Sequence, residues 1–456
     1  MKKEMKILSP SGIVGYGFPE ESFLAGVSLK PDLIACDAGS TDPGPYYLGS
    51  GIPFTNATAV KRDLTLMLKA ACKLGIPLVI GSAGGAGADP HLDREIGIVK
   101  QIAAEQKLSF KLAVIRAEFS KEYLLQALEE GRTAPLHPAP EITREDIEAS
   151  THIVAQMGVD PIIHALDQGA QVVLCGRCYD PAAFAAPAIR LGYDRALAMH
   201  LGKILECAAI CATPGSGSDC IMGYLGEDYF RIEPLNPIRA CTPLSVSAHT
   251  LYEKTNPYLL PGPGGMLDIS QATFTADSDR CVRVAGSKYI PEEVPTVKLE
   301  GAKQAGFRTI SICANRDPIF ISQVDDILEG LKKRTADNLS ADFDYRLDFI
   351  VYGKNGVMGA LEPKQEITSH EIGIVIDVVA DTQEHANAVC SVARSTLLHY
   401  GYPGRIATAG NLAFPFSPSD AKVGEVFVFS VYGLLKGEDP LDIFPRTYEM
   451  IGGEGK

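Results

Sequence analysis

Short apolar runs alternate with longer amphipathic segments through the first half of the chain. The runs at residues 6–8, 33–36, 78–80, 112–115 and 172–175 are too short for helices, and the last four each close on glycine or a charge nearby. That pattern predicts strands buried on both faces. Between them, residues 60–74, 92–106 and 123–130 carry apolar positions at helical spacing. Three Asp-Pro pairs, Asp89-Pro90, Asp160-Pro161 and Asp180-Pro181, place a carboxylate before a proline whose fixed φ suits the first helical position, so each predicts a helix start. Strand, loop and helix in repetition predict a parallel sheet with helices on both faces.

Residues 213–304 are richer in glycine and proline, as in Pro261-Gly262-Pro263-Gly264-Gly265, and alternating stretches such as Cys281-Val282-Arg283-Val284 predict hairpins. In the last third, strand patterns at 308–313, 345–352, 372–380 and 426–432 enclose helical patterns at 320–334 and 383–399. Their order is the β-α-β-β-α-β of a split βαβ, ferredoxin-like unit. The expected fold class is α/β. An N-terminal parallel-sheet domain would occupy residues 1–212, a connecting region with hairpins 213–304, and an α+β ferredoxin-like domain 305–456.

Composition supports a globular chain: 456 residues, 46% hydrophobic and 21% charged. The net charge of -14 repels phosphate backbones and anionic lipid, which argues against nucleic-acid and membrane partners. A small anionic metabolite held by local arginines stays open. No apolar run of signal-peptide or membrane-spanning length is present, so a cytoplasmic protein is expected. Eleven cysteines, an odd number scattered through apolar segments, fit reduced thiols better than a disulfide framework. Cys175 and Cys178 form a CxxC pair, and Cys207 and Cys211 lie one helical turn apart, which invites a zinc reading. The second pair sits in an apolar helical run, where thiols act as small hydrophobes.

In an open α/β sheet the carboxyl ends of the strands share one rim, where ligands bind. Four polar stretches begin there: 37–44, 81–91, 116–118 and 176–181. The glycines of the second, Gly84, Gly85 and Gly87 among them, either aim backbone N–H groups at an anion or let the next helix pack closely on the sheet. The stretch lacks the Lys-Ser/Thr of a P-loop and misses the G-x-G-x-x-G spacing. Arg116 and Arg177 could grip a carboxylate, or bridge to Glu118 and Asp180. His91, in the first turn after the glycines, is a candidate base or a surface residue. Asp89 and Asp180 read first as helix caps. Asp37, which closes a strand and caps no helix, is the strongest carboxylate for acid–base work or for a divalent cation such as Mg²⁺. Glu362, Glu366 and His370 recur every fourth residue, but Pro363 breaks any helical metal face.

Together, DAGSTDPGPYYLGSG from Asp37, GSAGGAGADPH from Gly81, GRCYDPAAFAAPAIRLGYD from Gly176 and GNLAFPFSPSD from Gly410 resemble the acyclic terpene utilisation (AtuA-like) family. The family's Gly-Arg-x-x-Asp maps onto Gly176, Arg177 and Asp180. The resemblance implies a role in catabolism of branched acids and terpenoids, often beside a small companion domain. With the chain ending at Lys456, a separate companion subunit is expected, together with a homo-oligomer. The leading functional expectation is a hydro-lyase: Arg177, Arg116 and the amides of Gly84, Gly85 and Gly87 hold a substrate carboxylate, His91 is the base, and Asp37 or Asp180 is the acid. The alternative is a non-catalytic subunit that binds a metabolite or thioester. A nucleotide-dependent ligase or transferase is held back by the missing P-loop lysine.

Overall fold

A computed structural model describes residues 4–339 and 342–452 and divides into two compact units. Unit 1 takes in the chain up to Lys303 and again from Phe429, and unit 2 is Gln304–Val428.

In unit 1 the predicted runs become β1 (Met5–Ser9), β2 (Leu33–Asp37), β3 (Leu78–Gly81), β4 (Phe110–Ile115) and β5 (Val172–Cys175). They pair in parallel in the order β1-β2-β3-β5-β4. Alternate residues serve opposite faces, as the pleat requires. Leu8, Ile34, Ile80, Val114 and Leu174 pack under α1 (Glu20–Ser28), α2 (Ala57–Leu74) and α3 (Asp89–Gln106). Ile7, Ala35, Val79, Ile115 and Cys175 pack under α4 (Asp160–Asp167), α5 (Ala182–Arg190) and α6 (Arg195–Leu205). Burial on both faces explains why each strand is a continuous apolar run.

The Gly/Pro-rich segment supplies β6 (Ile221–Leu225), β7 (Tyr229–Pro234), β8 (Thr273–Ala276) and β9 (Val282–Ala285), which extend the sheet beyond β1 in the order β8-β9-β7-β6-β1. β6 runs antiparallel to β1 with Ile7 opposite Gly223. The strand Arg446–Ile451 lies antiparallel to β4 at the other edge.

Unit 2 is built from the order β10 (Thr296–Asn315, starting in unit 1), α7 (Val324–Leu339), β11 (Tyr345–Tyr352), β12 (Ile372–Ala380), α8 (Gln383–Leu398), β13 (Asp420–Lys436, ending in unit 1), with a sheet of order β11-β12-β10-β13. Ala380 of β12 faces Tyr345 on one side and Phe307 on the other, both antiparallel. This is the ferredoxin-like order read from the sequence. Ile374, Ile376 and Val378 meet Leu331, Val389 and Leu397 in its core.

Candidate active site

The pairing of Asp37 with Gly81 sets the ends of β2 and β3 level, and β5 ends beside β4 with Cys175 opposite Ile115. Loops after β1, β2 and β3 run to helices on one face, whereas the loop after β5 runs to α5 on the other. A crevice opens where the loops part. There lies a cavity of about 290 Å³, lined by Ile13 and Tyr16 after β1, Asp37 and Asp42 after β2, Asp180 after β5, Glu206 and Cys207 beyond α6, and Tyr252 and Glu253.

Two carboxyl groups in this wall stand out. Asp37 is 5% exposed; its Oδ2 accepts the Gly39 N–H at 3.2 Å, and its Oδ1 finds no donor among the described residues. Burial pushes this carboxyl well above the usual carboxylate range, Asp180 adds to the push, and Arg177 opposes it. Glu206 is 4% exposed and directly follows a helix whose residues 196–205 are all buried. Lys203 donates to its Oε1, and Oε2 has no donor among the described residues. Burial lifts Glu206 to about 7, with Lys203 holding it down and Asp180 raising it. Both carboxyls of the cavity are therefore shifted toward the protonated form by burial, Glu206 to about 7.

The other sequence-predicted residues have partners within the protein. Arg177 is 2% exposed. Its Nε donates to Glu300 Oε2 at 2.7 Å, and one terminal nitrogen donates to Asp180 Oδ1 at 3.0 Å, Cys178 O at 2.8 Å and Ser82 Oγ at 3.1 Å. Glu300 also receives Lys298 at 2.7 Å and Thr41 Oγ1 at 3.1 Å. Arg177 is thus a buried strut joining the loops after β3 and β5 to β10. It reaches the site only by pairing with Asp180. Arg116 lies elsewhere, half-exposed, bridging Asp89 at 2.8 Å and Asp93 at 2.7 Å on α3. It does not line the cavity.

The glycine stretch 81–88 is wholly buried, which closes it to an anion. A Cβ on Gly87 would sit 2.2 Å from Arg177 N, one on Gly84 2.7 Å from His91 Cβ, and one on Gly39 2.8 Å from Gly85 Cα. The glycines serve close packing of the loops, with Gly84, Gly85 and Gly87 all at positive φ. A protein carboxylate already occupies the start of α3, where Glu118 Oε2 accepts the Asp89 N–H at 2.7 Å. His91 is fully buried. Its Nδ1 accepts the Ala88 N–H at 3.2 Å, and Nε2 donates to Tyr47 O and Ile52 O at 3.1 and 3.2 Å. Burial lowers it to about 4. Both nitrogens are committed to backbone, so the base expected at His91 is instead a neutral pin for the loop.

Glu206, Lys203 and Glu300 escaped the sequence reading. Lys203 and Glu206, three apart at the end of an apolar run, carried a signal: two opposite charges on one buried helix face have to pair. Lys298 and Glu300, two apart on one face of a strand, carried a similar one. Among the described residues no cluster of three or more His, Cys, Asp or Glu side chains could hold a metal ion such as Mg²⁺. All eleven cysteines are free thiols.

Among the described residues no helix is long and apolar enough to cross a membrane. No curated protein and no solved structure matches the chain. The family model described as acyclic terpene utilisation family protein AtuA matches residues 56–219 and 237–419, segments that contain Arg177, Asp180, Glu206 and Glu300. With more than half of its length matched, the chain belongs to the acyclic terpene utilisation family, and its role lies in the breakdown of acyclic terpenes.

Proposed function

We propose that the chain is a hydro-lyase that adds or removes water across a carbon–carbon double bond beside a thioester carbonyl. The observation that carries this reading is the pair Asp37 and Glu206, two buried carboxyls in one cavity, each with an oxygen that has no donor among the described residues. Their surroundings differ, Glu206 being paired with Lys203 and Asp37 being without a cation on its carboxyl among the described residues, and such an asymmetry is what divides acid from base. In the dehydration direction ionised Glu206 takes the α-proton while protonated Asp37 gives its proton to the departing hydroxyl. The C–H and C–O bonds break, the double bond forms and water leaves. Asp180, held by Arg177, adds to the push that raises Asp37 and so favours its acid form.

A thioester is favoured over a free carboxylate on electrostatic grounds. Asp37, Asp42, Asp180, Glu206 and Glu253 all line the cavity, and both arginines expected to grip a carboxylate are already paired. A neutral acyl group enters such a wall at lower cost than an anion. The test is to follow loss of enoyl absorbance when the purified chain meets branched 2-enoyl thioesters. The expected result is turnover that falls ~10²-fold or more in Asp37→Asn and in Glu206→Gln and stays intact in Arg116→Ala. Turnover unaffected by both carboxyl substitutions would overturn the assignment.

A further inference from the structure

Unit 2 has a cavity of its own, of about 500 Å³, which the acid–base chemistry of unit 1 does not use. Its floor is the end of β10 at Ala314 and Asn315, and its walls are the segment from Tyr402 to Ala413 and Glu371 before β12. This segment is firmly built. Ala314 and Ala413 exchange both backbone hydrogen bonds at 2.9 Å. Asn411 donates its backbone N–H to Leu398 O at 2.7 Å and its side-chain Nδ2 to Leu397 O at 3.0 Å and Tyr400 O at 2.8 Å. These bonds satisfy carbonyls at the end of α8 and tie the segment to it. Asn315 Nδ2 donates to Asn411 O at 2.6 Å, and the Tyr402 hydroxyl donates to Asp317 Oδ2 at 2.7 Å.

Two guanidinium groups line this cavity. Arg405 is aimed by hydrogen bonds to His399 O at 3.4 Å and Ala409 O at 3.0 Å, and Arg316 stands exposed just beyond β10. Among the described residues neither pairs with a carboxylate, whereas Arg177, Arg231 and Arg394 each do. Asp317 spends both oxygens, one on the Ile319 N–H at 2.9 Å and the other on Tyr402. Glu371 is the remaining acidic group in the wall. Unpaired guanidinium donors at one concavity match the oxygens of a phosphoryl group. The volume is far beyond that of inorganic phosphate and falls in the ~300–1,000 Å³ range of small-molecule sites. Ile406, Leu412 and Ala413 give it apolar edges.

We propose that unit 2 binds an organic phosphate, with the phosphoryl group on Arg316 and Arg405 and the organic body against Ile406 and Leu412. A nucleotide and a sugar phosphate share this chemistry, so both are probes. Calorimetric titration of the full chain with adenosine diphosphate, glucose 6-phosphate and inorganic phosphate separates them. The expected result is saturable binding of one organic phosphate at least tenfold tighter than inorganic phosphate, weakened by added salt. Arg316→Ala and Arg405→Ala should each weaken that binding ~10-fold or more. Glu371→Gln, which removes a repelling charge, should tighten it, so a positive result does not depend on variants that only lose function. Circular dichroism checks that each variant is folded. Failure of both organic phosphates to saturate the site, binding no tighter than inorganic phosphate, or unchanged affinity in a folded Arg316→Ala/Arg405→Ala chain would overturn the proposal.

Discussion

Replacing Glu300 by glutamine isolates the buried charge network beneath the cavity. Glu300 is fully buried and accepts from Arg177, Lys298 and Thr41. Burial alone would raise its carboxyl, but Arg177 and Lys298 bring it from an ordinary 4.5 down to about 2. At ~1.4 kcal/mol per pH unit that difference corresponds to roughly 3 kcal/mol of stability. The same range is expected when one partner of a buried ion pair is removed, about 3–5 kcal/mol. Glutamine keeps the shape but turns an amide toward either Arg177 or Lys298, donor against donor. Because the folded carboxyl is depressed, its contribution is complete above pH 4.5 and disappears as pH falls toward 2. Urea unfolding of wild type and Glu300→Gln should therefore show a gap of about 3 kcal/mol at pH 7 that narrows as pH drops below 4.5. A gap under about 0.5 kcal/mol at pH 7, or one that does not change with pH, would refute the reasoning.

Three further outcomes follow from the geometry around it. His91→Gln should flatten the loss of stability between pH 6.5 and 4, because a neutral buried imidazole lowered to about 4 contributes above 6.5 and loses that contribution as pH falls; unfolding curves across that window read it. Gly87→Ala sets a Cβ 2.2 Å from Arg177 N at a φ of +68°, and should cost about 3 kcal/mol or more in a denaturant melt, since backbone on both sides has to move. Arg116→Ala should change stability by less than about 1 kcal/mol, as its two pairs are half-exposed.

The strands were legible because burial on both faces leaves an apolar run bounded by polar residues, as at Leu33–Asp37 and Val172–Cys175. The helix starts were legible from proline: α3 begins at Asp89-Pro90 and α4 at Asp160-Pro161, but the expected carboxylate caps are not made, since each aspartate is itself the first helical residue and Asp89 pairs with Arg116. Asp37 could be singled out because it closes a strand and caps no helix. The direction of the other side chains could not be read, since loops after parallel strands meet only in three dimensions. Glycines that cradle an anion and glycines that let two loops touch have the same spelling, and here Gly39 against Gly85 decides for packing. Arg177 was visible, but its partner Glu300 lies 123 residues away on a strand that the local pattern did not connect with it.

The protonation state of Asp37 and Glu206 is what the proposed chemistry rests on, and carboxyl infrared titration reads it directly. In the C=O stretch region, wild type should show a carboxyl that stays protonated above the usual carboxylate range and that Asp37→Asn removes. A second should titrate with a midpoint near 7 and vanish in Glu206→Gln. A wild-type spectrum at pH 7 with neither band, every carboxyl ionised, would contradict the acid–base pair.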